Sequence, residues 1–336
     1  MLSRWLKRWT RRRDAGAPAE EIHPETTAPL SAALRAEYAA LHRRYLQLLL
    51  GEKGAGASLS VPEKLVRQVV EQQLRNSEAR RAAVPRLPTV IPLLLKQLRD
   101  PNASARDYIA IIRQDPVVAS AVLTFANSAY FNPYRKQIDN FEQAVATLGI
   151  NGLRMVLSTA VLQPIVRGRG DSLAQRVWDQ SFICAICCQQ LAGQTRLDPF
   201  KAYLLGLLCN IGVVTIYNQV QQQGAQHLQG ATPSADLLLQ LIAQWAQPLA
   251  YWIAQDWQLP EEIVRALGAP NDQGGEQGLA GVLLRASHFA EAYALEHAGQ
   301  MDRKAVQRLA DTAGLPADIL AQLDAVLPDL LGRKGQ

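Results

Sequence analysis

Three observations predict an all-α fold. Proline directly follows a plausible capping residue at Asp115-Pro116, Asp198-Pro199 and Thr232-Pro233. There it removes no helical hydrogen bond, and the Asp or Thr oxygen can accept one from the first turn. Apolar residues recur at helical spacing along most of the chain. No run of alternating β-branched residues is found, and Asn151-Gly152 is flanked by helical patterns rather than by such runs.

Taken in order, residues 1–13 (MLSRWLKRWTRRR) place Leu2, Trp5, Leu6 and Trp9 at helical spacing, with basic residues between them. A helix this short is marginal in water. One reading is a solvated tail; another is a helix on an anionic membrane surface, with Trp5, Arg8, Trp9 and Arg12 as contacts. The segment lacks the apolar core of a signal peptide. Proline-containing residues 15–29 read as a linker, so residues 1–29 form a basic tail and linker. Residues 30–83 form a helical extension. Its first helix runs through Leu34, Leu41, Tyr45 and Leu48. After the glycine-rich break at 51–60, a second spans 61–81, with Leu65, Val69 and Leu74 on one side.

The remaining helices are expected at 88–99, 104–113, 116–126, 141–148, 151–166, 172–193, 199–208, 211–222, 234–246, 249–256, 260–267, 277–298, 302–313 and 316–326. Ser104 with Asp107 and Asn140 with Gln143 have capping-box spacing. Residues 221–230 (QQQGAQHLQG) and 268–278 (GAPNDQGGEQG) read as polar loops. No fixed-period repeat is present, which points to a bundle rather than a solenoid.

Composition excludes several classes. The 336 residues suffice for about two domains and a full core without a disulfide or metal staple. With 48% hydrophobic and 19% charged residues the chain is not wholly disordered. No stretch reaches ~18 uninterrupted apolar residues, so no membrane-spanning helix is expected; residues 202–217 are broken by Gly206, Asn210 and Gly212. The four cysteines, without a secretory signal, argue against a disulfide framework. The net charge of +5 is misleading: residues 1–13 carry six basic groups and no acid, so the rest of the chain sums to −1. A nucleic-acid role for the main body therefore has no charge to support it.

Candidate chemistry is sparse. His23, His42, His227, His288 and His297 have no partner at zinc-site spacing and read as surface or packed residues. Cys184 and Cys188 share a helix face, with Cys187 beside them and Cys209 distant. A soft-metal site is one reading and small buried hydrophobes the other; the apolar surroundings favour the second. No phosphate-binding glycine loop, dinucleotide fingerprint or nucleophile elbow is found. Glu261-Glu262 after Pro260 complement a helix dipole.

Residues 84–157 carry Leu87-Pro88 with Pro92, Ile112 with Asp115-Pro116, Asn127-Ser128-Ala129-Tyr130, and Ala144 with Leu148-Gly149 and Arg154. In this order they resemble the HDOD domain, the HD-related output domain of bacterial signalling proteins. The resemblance continues more weakly to about residue 298. It implies a compact multi-helix bundle over 84–298 with a degenerate HD-like half, followed by C-terminal helices and a tail at 299–336. Asp115-Pro116 reads as a cap and helix start, Asn127 and Ser128 as a helix terminus, and Gly149 as a stop between helices. A binding role for Asn127, Ser128 or Arg154 is the other reading.

An active HD enzyme holds metal with a His, a His-Asp pair and a later Asp. By this resemblance the first His position holds Gln180, the G-L-L-H-D-I-G pattern reads Gly206-Leu207-Leu208-Cys209-Asn210-Ile211-Gly212, and the late Asp falls near Glu291. Neutral amides replace neither the charge nor the imidazoles, so no catalytic residue, metal or other cofactor is expected. The implied function is a non-enzymatic cytoplasmic regulatory module, peripheral at the inner membrane face if residues 1–13 bind lipid. It would bind signalling proteins, with a nucleotide as a further ligand class. The alternative is a divergent metal-dependent phosphohydrolase acting on a nucleotide or cyclic dinucleotide through Cys209, Glu291 and His288.

Overall fold

The computed structural model describes residues 32–51, 58–83, 103–167, 172–268 and 278–330, and among them every regular element is helical. The helices are α1 (Ala32–Leu50), α2 (Val61–Arg75), α3 (Ser77–Ala83), α4 (Ala105–Ile112), α5 (Pro116–Ala126), α6 (Phe141–Arg167), α7 (Ser172–Ala192), α8 (Pro199–Leu208), α9 (Ile211–His227), α10 (Ala235–Asp256), α11 (Glu261–Gly268), α12 (Gly278–His297), α13 (Arg303–Ala313) and α14 (Ile319–Leu330).

Local chemistry fixes many of the starts. Asp115 Oδ1 accepts the Val117 and Val118 N–H groups at 2.8 and 3.2 Å, and Asp198 does the same for Phe200 and Lys201. Gly149 (φ 68°, ψ 179°) breaks α6 into two helical segments, as expected of a residue free to adopt positive φ. Proline's position misleads at Thr232-Pro233: the cap is Ser234, whose hydroxyl accepts from Leu237 N, and α10 begins after it. Three further expectations are corrected. Residues 221–227 are not loop; α9 continues to His227, because Gln219 and Gln223 are buried on the core side and glutamine is a good helix former. α10 continues through Pro248 as one helix. The helix expected at 61–81 is interrupted at Asn76, and α2 buries Val66, Val70 and Leu74 rather than Leu65 and Val69. The helix at 88–99, the motif residues Leu87, Pro88 and Pro92, the loop at 269–277 and the contacts Trp5, Arg8, Trp9 and Arg12 lie outside the described residues.

α7 is the central helix, packed by α6, α8, α12 and α1. It is apolar around most of its circumference, as a helix buried on all sides must be. Trp178 and Phe182 on α7, Tyr203 on α8 and Phe289 on α12 are buried in one core, with the Phe182 and Tyr203 rings edge to face at 6.4 Å. Each such side chain contributes roughly 2–3 kcal/mol by burial. Two helical stretches, Phe141–Val166 and Pro199–His227, are long and apolar enough to cross a membrane, and 61% and 83% of their apolar windows are buried inside the bundle.

The extension is docked on this body. α2 packs on α9 and α10, where Arg67 Nη1 donates to Gln240 Oε1 at 2.8 Å, and from α3 Arg80 lies 4.0 Å from the Trp252 ring centroid. α1 lies across α7 and α12.

Candidate functional site

The junction between α8 and α9 is pressed against its neighbours by two glycines. A Cβ on Gly206 would stand 2.4 Å from Ala185 Cα on α7, and one on Gly212 would stand 1.9 Å from Ala246 O on α10. The junction residues Cys209 and Asn210 therefore face α7. Asn210 caps α9 with its backbone position, but its side chain turns to α7, where Nδ2 donates to Gln180 Oε1 and, at 2.9 Å, to Ser181 Oγ. The Cys209 thiol lies 3.9 Å from the same two oxygens. Its contact with Cys184, then burial, push its pKa well above the ordinary thiol range. Gln180, Cys209 and Asn210 are thus brought together, with the Asn210 amide N–H and the Cys209 thiol both directed at Gln180 Oε1.

Glu291 stands on α12 beside this group, close enough for its charge to act on Cys209 and Tyr45. Its Oε1 lies 2.6 Å from His42 Nδ1, which α1 brings in from the extension. Its Oε2 is buried without a hydrogen-bond partner among the described residues. Burial works to lower the His42 pKa, but the charge and hydrogen bond of Glu291 prevail and raise it above 6.5. His288, one turn earlier, contacts Leu284 O through Nδ1 at 2.6 Å and stacks on Tyr38 of α1 with ring centroids 3.9 Å apart. Burial holds the His288 pKa below 6.5. Tyr45, a turn after His42, is buried, and its hydroxyl also has no partner among the described residues.

Beside Tyr45 and Gln180 opens a cavity of about 720 Å³, walled by α1, α7, α12, α13 and α14. Arg176 and Asp179 line it from α7. At its other side Arg303 pairs with Asp324 and, at 3.3 Å, with Glu296, while the Tyr293 hydroxyl donates to Asp324 Oδ1 at 2.7 Å. The size suits a ligand of a few hundred daltons. Sequence reasoning missed this cavity, and it missed His42 and Tyr45 as site residues. His42 is 249 positions from Glu291, and no local pattern links them.

A divalent cation does not fit this arrangement. Two of the positions are neutral amides already bonded to each other, and Glu291 is engaged by His42. Among the described residues no group of three or more His, Cys, Asp and Glu side chains is placed to hold a metal. The other cysteines are buried, with Cys184 and Cys188 sulfurs 4.0 Å apart. Burial pushes the Cys187 thiol up, so it stays protonated.

The remaining motif residues have structural contacts. Asn127 donates from Nδ2 to Leu123 O and Ile138 O, and its Oδ1 accepts from Ile138 N at 2.9 Å, closing the segment 127–138. Ser128 Oγ donates to Phe125 O at 2.6 Å. Arg154 Nε donates to Tyr108 Oη at 2.7 Å and the guanidinium lies 5.9 Å from the Phe200 ring centroid, tying α6 to α4 and α8. Asp115-Pro116, Asn127, Ser128, Gly149 and Arg154 do not line the cavity.

Fold and site together define a helical bundle in which Gln180 and Asn210, at the junction of α7, α8 and α9, are bonded to each other beside Cys209 and Glu291. The family model for the HDOD domain matches residues 84–272, more than half of the chain, and the chain belongs to that family. An uncharacterised protein of Treponema pallidum (strain Nichols) is 24% identical over 230 residues, which is 66% of this chain and 44% of that relative. The chain thus spans less than half the length of this curated relative. A crystal structure of an HDOD domain protein of unknown function from Geobacter sulfurreducens superposes with a TM-score of 0.56 at 18% identity, covering 80% of this chain and 97% of that one. A Shewanella amazonensis protein whose name proposes a phosphohydrolase superposes with a TM-score of 0.55 at 22% identity, covering 80% and 98%. These likenesses establish the fold.

Proposed function

We propose that this HDOD protein is a non-enzymatic regulatory module that acts by binding a signalling protein. The observation that carries this reading is the Asn210–Gln180 hydrogen bond at the former metal positions, with His42 of the extension engaging Glu291 beside it. A hydrolytic metal needs several anionic or imidazole donors free to face it and an open position for water. Here the amides face each other and the remaining carboxylate faces a helix. The near-neutral charge of the body argues for protein partners over nucleic acid. A small ligand such as a nucleotide would enter the cavity beside Gln180. As part of this proposal the module works in the cytoplasm with residues 1–13 at the inner membrane face, a placement supported by the basic residues and the two tryptophans of that segment.

Metal analysis of the purified protein together with a hydrolysis screen over nucleotides and cyclic dinucleotides tests the reading. The expected outcome is sub-stoichiometric metal and no turnover. Stoichiometric metal with turnover lost in Cys209→Ala would overturn it in favour of a divergent phosphohydrolase using Cys209, Glu291 and His288. For the membrane contact, liposome co-sedimentation with and without residues 1–13 is decisive: equal binding removes it.

A further inference from the structure

We propose that the groove beneath α1 is a helix-acceptor site whose preferred occupant is an amphipathic helix of a partner protein carrying arginine where α1 carries His42. The inference rests on the protein-binding reading above and names the partner's chemistry.

The groove's features belong to the body, and α1 shows how a helix uses them. Tyr38, His42, Tyr45 and Leu49 follow the spacing that puts one helical face against a partner surface. Tyr38 stacks on His288, His42 meets Glu291, and Tyr45 and Leu49 are buried. The end of the seat recognises backbone: Arg176 Nη2 donates to Leu49 O at 2.7 Å. The last carbonyls of any helix lack intrahelical donors and carry the negative end of the helix dipole, so this contact serves any helix that ends there.

The fit of α1 is incomplete at the centre. Glu291 is 5% exposed, yet its Oε2 has no hydrogen-bond partner among the described residues. The Tyr45 hydroxyl is in the same condition. The 720 Å³ cavity alongside is walled on one side by Tyr45, Leu48 and Leu49, so α1 does not fill the available space. An imidazole offers the carboxylate one N–H in this direction. A guanidinium offers two in the fork that matches both carboxylate oxygens. Glu291 thus favours an arginine helix over the resident one, and α1 is a weak occupant that such a helix displaces.

Hydrogen exchange of residues 32–50 in the full-length chain tests this. In His42→Arg, exchange of α1 is expected to slow about tenfold, the order of one added charge-assisted hydrogen bond, and the gain is expected to vanish in His42→Arg/Glu291→Gln. A peptide of residues 32–50 carrying His42→Arg, isotopically labelled and added to the wild-type chain, is expected to speed exchange of the protein's own α1. The native-sequence peptide is expected to do so at least tenfold less effectively. An unchanged rate in His42→Arg, a gain that survives Glu291→Gln, or peptides that leave α1 exchange unaltered would each overturn the proposal. None of these results bears on the metal and turnover assays, so the failure of this inference is separable from failure of the non-enzymatic reading.

Discussion

The Glu63 carboxylate accepts the backbone N–H of Ser234 at 3.0 Å, joining the first turn of α2 to the cap of α10 across 171 positions of sequence. Its other oxygen accepts from the Ser60 N–H and hydroxyl, so one side chain closes a capping box and fastens the extension to the bundle.

Partial burial acts to raise the Glu63 pKa, and the hydrogen bonds from Ser234 and Ser60 overcome it and hold it at about 2, against an ordinary 4.5. A depressed carboxyl pKa contributes stability that is present above 4.5 and lost as pH falls toward about 2. Glu63→Ala is expected to lower stability at neutral pH by about 1–2 kcal/mol. Denaturant unfolding should also show a shallower loss than wild type across that acid window.

His42 and His288 give α1 docking opposed pH dependences. The raised His42 pKa contributes stability present below 6.5 and lost as pH climbs through the raised value. The lowered His288 pKa contributes stability present above 6.5 and lost on acidification. His42→Gln therefore removes the first and leaves the second. The difference in melting temperature between wild type and His42→Gln is expected to be largest below pH 6.5 and to shrink in alkali. Scanning calorimetry from about pH 5.5 to about pH 9 measures it.

Gly212→Ala is expected to be among the most damaging single methyl additions. The new Cβ would stand 1.9 Å from the Ala246 carbonyl oxygen, so α9 and α10 must separate. A loss of about 3 kcal/mol or poor folding is the expected outcome, read by thermal melting and soluble yield. Gly230, at φ 90° with open space around it, is the control: its alanine variant meets backbone strain alone. The expected loss there is about 1 kcal/mol.

Asn127→Ala removes the hydrogen bonds to Leu123, Ile138 N and Ile138 O together. A loss of about 2–3 kcal/mol is expected, because the Ile138 groups are left unpaired. A purely ligand-binding Asn127 would leave the melting temperature unchanged.

Much of the helical layout was legible because its signals are local. Asp115-Pro116 and Asp198-Pro199 announce α5 and α8, and Gly149 announces the break in α6. The errors fall where distant packing decides. Gln223 reads as loop, but lies on a buried helical face. Val66 and Val70 rather than Leu65 and Val69 are buried because α9 and α10 meet α2 from that side. Gln180, Cys209 and Asn210 were singled out by motif position, and the structure brings them together. His42 and Tyr45 were not, since a residue in an extension acquires its role only when the chain folds back across the bundle.

The two glycines at the α8–α9 junction set different rules for different parts of one motif. Their hydrogens touch backbone of neighbouring helices, and no side-chain adjustment relieves a backbone contact. These backbone contacts constrain the two glycines, whereas residues 209 and 210 can change without breaking them. Glycine spacing is therefore the rigid frame of this segment, and Cys209 and Asn210, two of the five residues between Gly206 and Gly212, are what that frame displays.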